Sequence, residues 1–99
     1  MPIACGGLRP LPEKVLGAGV VEIKRMYTTP SARGTGVATA VLRSLEQEAR
    51  RLGAHRIVLE TGTGQPDAIR FYQREGYSPT ALFGAYVGSE NSACFAREL

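Results

Sequence analysis

The feature that most constrains this chain is Arg33-Gly34-Thr35-Gly36-Val37-Ala38, a glycine-rich turn set between two runs of different period. Before it, V-V-E-I-K-R-M-Y-T (Val20 to Thr28) is rich in β-branched and aromatic residues with partial alternation, which predicts a strand. Pro30 cannot donate to a ladder and ends it. After the turn, Val41, Leu45, Ala49 and Leu52 recur at steps of four, four and three, and Val37, Ala38 and Leu42 widen the stripe. That spacing predicts a helix over residues 37–52. Glu46, Gln47, Glu48, Arg50 and Arg51 are left for its outer surface, with Glu46 and Arg50 spaced for an i,i+4 pair. Gly53 is the expected left-handed stop.

A strand, a glycine turn and a helix in that order form an anion site. Gly34 and Gly36 let the backbone approach a ligand in conformations that a side chain would forbid. The first amides of the following helix have no intrahelical acceptor, and the helix dipole adds partial positive charge. A phosphate or pyrophosphate suits such a site best. No Lys-Ser or Lys-Thr follows, so a Walker loop fails. The third glycine of a dinucleotide fingerprint falls on Thr39, so that fails too. The pattern [RQ]-x-x-G-x-[GA] is met by Arg33, Gly36 and Ala38. Alone it is no more than a glycine-rich start to a helix.

The rest of the chain reads as one α/β domain over residues 1–99 on a mixed sheet, in the order β, β, α, β, α, β. Pro2 to Leu8 is a short strand, and Arg9 to Gly19, with two prolines and two glycines, is a loop or wide hairpin. Arg56 to Thr61 is a strand, and Thr61-Gly62-Thr63-Gly64 turns into a short helix from Pro66 to Glu75. Ala68, Ile69 and Tyr72 share a face of that helix, Gly76 ends it, and Ser92 to Arg97 is a last strand. A net charge of +3, with Lys and Arg spread along the chain, argues against a dedicated nucleic-acid surface and allows an anionic cofactor. Cys5, Cys94 and the single His55 have no metal-ligand spacing, so no metal site is expected. With no long apolar run and no signal-peptide order, no membrane association is expected and the location is read as cytoplasmic.

With its flanks, the turn resembles the coenzyme-A signature of the GNAT superfamily of N-acetyltransferases. E-I-K-R-M-Y-T-T-P-S-A-R-G-T-G-V-A looks like the strand, break and turn of many bacterial members. D-A-I-R-F-Y-Q-R-E-G-Y looks like their second conserved helix. The resemblance implies a GNAT-like mixed sheet with two flanking helices, without the usual N-terminal strand and helices, and direct acetyl transfer from acetyl-CoA to a primary amine in a ternary complex. It maps pantetheine pairing to Met26, Tyr27 and Thr28, and the pyrophosphate to the amides of Arg33, Gly34, Thr35, Gly36, Val37 and Ala38. Gln65 stands where members often carry an asparagine that contacts pantetheine. Tyr72 matches a tyrosine that can protonate the departing thiolate, and Phe71 beside it is read as core. Glu22, a carboxylate in an otherwise apolar strand, is the best available general base.

Plainer readings stand beside these. Glu22 could be a solvent-facing strand residue paired with Lys24 or Arg25, and Tyr72 a core residue. Gly84 to Gly88, with Tyr86, could lie over the acceptor mouth or simply pack. An open sheet edge invites a homodimer. The rival to the enzyme is a non-catalytic coenzyme-A-binding or dimerisation module. A nucleotide-binding regulatory domain on the same anion site is a third reading.

Overall fold

Successive buried side chains of the central strands alternate between two clusters, so each strand contributes to two cores at once. The computed structural model describes residues 4–28 and 36–99, with side chains for residues 6–24 and 36–99. In chain order the elements are β1 (Ala4–Pro10), a one-turn helix α1 (Glu13–Leu16), β2 (Val20–Thr28), α2 (Val37–Arg51), β3 (Arg56–Gly62), α3 (Pro66–Arg74), β4 (Ser78–Thr80), a 3₁₀ turn (Gly84–Tyr86) and β5 (Ser92–Glu98). The strands form one five-stranded sheet in the order β1-β2-β3-β5-β4. β2 and β3 run parallel, and all other neighbours are antiparallel.

On one face, Val21, Ile23, Ile57, Leu59 and Phe95 pack against Leu42 and Ala49 of α2, Tyr72 of α3, and Tyr77. On the other, Val20, Val58 and Cys94 pack against Phe83, with Val15 and Leu16 of α1 and Tyr86 around them. Burial on both faces explains the unbroken I-V-L run of β3, which a one-sided strand would interleave with polar residues. The mixed sheet with two helices matches the sequence expectation. The structure adds β4 and α1, which are too short to carry a periodic signal.

Both helices end in the same device. Gly53 (φ +85°) and Gly76 (φ +99°) take the left-handed conformation at the first position beyond each helix. The amides of Gly53 and Ala54 donate to Arg50 and Ala49, and those of Gly76 and Tyr77 donate to Gln73 and Tyr72. This is the six-to-one, five-to-two closure that satisfies orphan carbonyls. At α3 the closure brings Tyr77 edge-on to Tyr72, with ring centroids 5.8 Å apart.

Two expectations for α2 are corrected. Leu52 is 59% exposed and lies off the apolar stripe, which is centred on Leu42 and Ala49. Glu46 is only 1% exposed. It does not pair with Arg50: it accepts from Arg43 Nη1 at 2.9 Å, Arg97 Nη1 at 3.1 Å and Tyr77 Oη at 2.7 Å. A carboxylate can be buried on this face because three donors replace its hydration. Two of the donors come from outside the helix, so helical spacing alone could not show it. Cys94 is a free, buried thiol on β5.

Candidate functional site

The start of α2 carries no side-chain cap. Gly36 is its N-cap, with φ +86° and ψ −2°. The first helical bond runs from the Ala40 amide to the Gly36 carbonyl, so the amides just before it lack helical acceptors. No acidic residue occupies the first turn, while Arg50 and Arg51 sit at the far end. A β-carbon on Gly36 would meet nothing within 4 Å. Glycine is therefore favoured there by its left-handed conformation and not by crowding among the described residues. Val37 and Ala38 open the helix; Arg33, Gly34 and Thr35 lie outside the described residues.

The sheet is also forked. β2 pairs with β3 only at Val20, Val21 and Glu22, against Arg56, Ile57 and Val58. Beyond that point β2 runs on to Thr28 with β1 as its partner, and β3 runs on to Gly62 with β5 as its partner. The facing backbones of residues 23–28 and 59–62 are left without a ladder, which leaves donors and acceptors directed into the gap. The β1–β2 register shifts between Cys5 and Gly7, against Tyr27 and Lys24, so a bulge falls at residues 25–26. Met26, Tyr27 and Thr28 thus form the end of one prong. Gln65, exposed, is the N-cap of α3 just past the end of the other, and its amide donates to the Gly62 carbonyl. All these positions collect at the carboxyl ends of two parallel strands, where open α/β sheets hold ligands.

Glu22 and Tyr72 lie on opposite faces of the sheet. Tyr72 is buried among the helices, edge-on to Phe71 and Tyr77. Burial pushes its phenol up to about 12, so it stays protonated at neutral pH. Glu22 is 2% exposed on the face of α1 and the 3₁₀ turn, rather than solvent-facing. It is paired with Lys24 as one of the plainer readings held, at 3.3 Å. Its second partner is Tyr86, whose hydroxyl donates to Glu22 Oε2 at 2.9 Å and accepts from Lys24 Nζ at 2.7 Å. The Tyr86 hydrogen bond, more than any other contact, raises the Lys24 pKa, which keeps the ammonium charged. Burial is the main cause of the raised Tyr86 pKa, opposed by Lys24.

Lys24 and Tyr86 form part of the wall of an open cleft of about 670 Å³ over the fork, with Gly7 and Leu8 of β1 and Glu60 of β3 around it. Glu60 accepts from Ser92 Oγ at 2.7 Å, and Ser92 is in turn 3.0 Å from Ser89 Oγ. Sequence reasoning missed Lys24 and Glu60 as site residues. The signal available was period two: Lys24 follows Glu22 on one face of β2, and Glu60 follows Val58 on the same face of β3. Among the described residues, no three His, Cys, Asp or Glu side chains are grouped to hold a metal ion. No described helix is long and apolar enough to cross a membrane.

A forked mixed sheet of five strands, flanked by α2 and α3, defines an α/β protein. Comparison with known proteins narrows this class. The Acetyltransferase (GNAT) family matches residues 2–77, and the chain belongs to that family. Among curated proteins it is similar to the IAA acetyltransferase of Azospirillum brasilense, 38% identical over 68 residues, which covers 69% of this chain and 44% of that protein. A crystal structure from Klebsiella pneumoniae assigned to the acyl-CoA N-acyltransferases superposes with a TM-score of 0.86 at 34% identity, over 98% of this chain and 63% of that one. A GNAT acetyltransferase from Elizabethkingia anophelis, solved with acetyl-CoA bound, shares the fold at a TM-score of 0.78 and 17% identity, over 98% and 69% of the two chains. The chain spans less than half the length of the curated relative.

Proposed function

We propose that this protein moves an acetyl group from acetyl-CoA to a primary amine, by direct attack while both substrates are bound. The observation that carries the reading is the fork that follows the three β2–β3 pairs, in a chain whose α2 starts uncapped at Gly36. An extended pantetheine arm could pair with the unladdered backbone of Met26, Tyr27 and Thr28, as an added strand would. Its pyrophosphate would rest on the amides from Arg33 to Ala38, and Gln65 would meet the arm from the β3 side. A thioester lying in the fork would have Tyr72 on one side of the sheet and the Glu22 pair on the other.

An alkylamine with a pKa of about 10 is neutral in only about one molecule per thousand at pH 7, so the site must take a proton. Glu22 is too buried to meet the amine directly; Tyr86, which lines the cleft, is the link. A proton received at the Tyr86 oxygen is matched by one passed from its hydroxyl to Glu22. The amine nitrogen then bonds to the thioester carbonyl carbon, and amides of the β2 prong supply donors to the oxyanion. As the intermediate collapses the carbon–sulfur bond breaks, the attacking nitrogen gives up its excess proton to water, and water returns one to the departing thiolate. A phenol near 12 is a weaker acid than an ordinary thiol near 8.5, so full transfer from Tyr72 would be uphill by about 5 kcal/mol. Tyr72 therefore serves better as a hydrogen-bond donor to the thiolate than as the final proton source.

The reading includes a cytoplasmic setting and a homodimer paired along the outer edge of β1. The rival is a coenzyme-A-binding module without turnover. A thermal-shift series with acetyl-CoA, coenzyme A and ATP, followed by a thiol-release assay over a panel of amines, separates them. Stabilisation by both coenzymes with thiol release supports the enzyme, and stabilisation without release leaves the module. No shift with either coenzyme sinks both.

A further inference from the structure

Three charged side chains line the cleft over the fork, Arg9, Lys24 and Glu60, and the buried Glu22 beneath it neutralises Lys24. Glu22 and Lys24 form an ion pair at 3.3 Å. Arg9 of β1 and Glu60 of β3 also line the cleft, and neither forms a salt bridge among the described residues. Register places them. Arg9 sits opposite Glu22, and Glu22 opposite Val58, so the three form one row across β1, β2 and β3. Glu60 is two residues further along β3, on the same face. With strand spacing near 4.8 Å and a rise near 3.3 Å, the Arg9 and Glu60 backbones stand about 12 Å apart, and the fork widens that distance. A small molecule fits between the two charged ends.

We infer that the acceptor is a short amine that also carries an anionic group, a carboxylate or a phosphorus oxyanion, with its ammonium at Glu60 and its anion at Arg9. The inference rests on the acceptor being an amine, and it names the class. Guanidinium offers paired donors in a plane, which suits either oxyanion. Glu60 is held by Ser92 Oγ on one oxygen, which orients the carboxylate while leaving it able to receive an ammonium. A diamine or polyamine would place its second cation against Arg9. A plain alkylamine would leave Arg9 unused.

The test compares amines of equal chain length that end in a carboxylate, a phosphonate, a neutral amide, a methyl group or a second amine. Two quantities are read: kcat/KM by thiol release, and Kd by calorimetry on protein loaded with coenzyme A. The second is measurable whether or not turnover occurs. The expected result is a preference of about 10- to 100-fold for the anionic amines over the amide, the size of a charge-assisted hydrogen bond. Arg9→Gln should bring that ratio to near one, and Arg9→Lys should keep most of it. Glu60→Gln should weaken every amine alike. A wild-type ratio near one, a diamine bound best, or a ratio unmoved by Arg9→Gln overturns the inference. The carboxylate and phosphonate arms identify which anion is preferred. If the binding preference holds without turnover, transfer fails and the acceptor class stands. If neutral amines turn over as well as anionic ones, the acceptor class fails and transfer stands.

Discussion

Replacing Tyr86 by Phe removes one oxygen and tests how the buried carboxylate reaches the cleft. The ring should keep its place, because it packs edge-on to Phe83 with centroids 5.3 Å apart. What goes is a hydroxyl that accepts from Lys24 at 2.7 Å and donates to Glu22 at 2.9 Å. Hydrogen bonds to charged groups contribute about 1.5–3 kcal/mol each when buried. Here the residue is half-buried, water can take the vacated position, and the Lys24–Glu22 contact persists, so the expected loss of stability is about 1–2 kcal/mol. Turnover should suffer more. If protons leave the amine through this hydroxyl, kcat near pH 7 should fall by about 10²- to 10⁴-fold, with coenzyme affinity unchanged. The deficit should shrink as the pH approaches about 10, where the amine is already neutral and needs no base. Single-turnover thiol release across that range, beside a urea melt, supplies both numbers. A Tyr86→Phe protein that loses stability while kcat stays within about twofold of wild type would refute the relay. A deficit constant with pH would show that the hydroxyl positions Lys24 and Glu22 and passes no proton.

Gly36→Glu should abolish coenzyme binding by calorimetry, since it puts a side chain and a negative charge where the helix start favours anions; undiminished binding would mean the anion sits elsewhere. Tyr72→Phe should lower kcat more than coenzyme affinity, and equal losses would make Tyr72 a packing residue only. Because the Tyr72 phenol is raised in the folded protein, its share of stability is intact below the unfolded value of 10.0 and is lost as pH rises toward about 12. That share is about 3 kcal/mol, so Tyr72→Phe should flatten the alkaline decline in urea-melt stability. Glu46→Gln should destabilise the fold by about 2–3 kcal/mol in the same melt, a discounted figure because Arg43 and Arg97 are partly exposed; a change below about 0.5 kcal/mol would show that the network contributes little.

What could be read from the sequence was what local periodicity encodes. The bounds of β2 follow from its β-branched run and Pro30, and α2 stops where Gly53 can turn left-handed. The start of α2 was legible because Gly36 stands directly before an apolar stripe of helical period. The Glu46 pocket was not, since Tyr77 and Arg97 reach it from 31 and 51 residues away. Tyr86 was noticed as a loop aromatic, but its hold on Glu22 spans 64 residues and depends on how the 3₁₀ turn folds back over β2. The fork was invisible for a related reason. Both prongs have ordinary strand sequences, and only their register shows that they part after three pairs.

That parting makes the sheet two stiff blades on one short pivot. β1 with β2 forms one blade, and β3 with β5 and β4 forms the other; three residue pairs join them. The longer prong extends six residues past the pivot, about 20 Å, so a 5° change in blade angle would shift its tip by about 1.7 Å. Displacements of about 1 Å are enough to change reaction rates a hundredfold. The pivot is packed by Val21 and Ile57 on the helix face, and Glu22 closes it on the other. A methyl group added or removed there would act as a hand on the short end of a lever, with the chemistry at the long end.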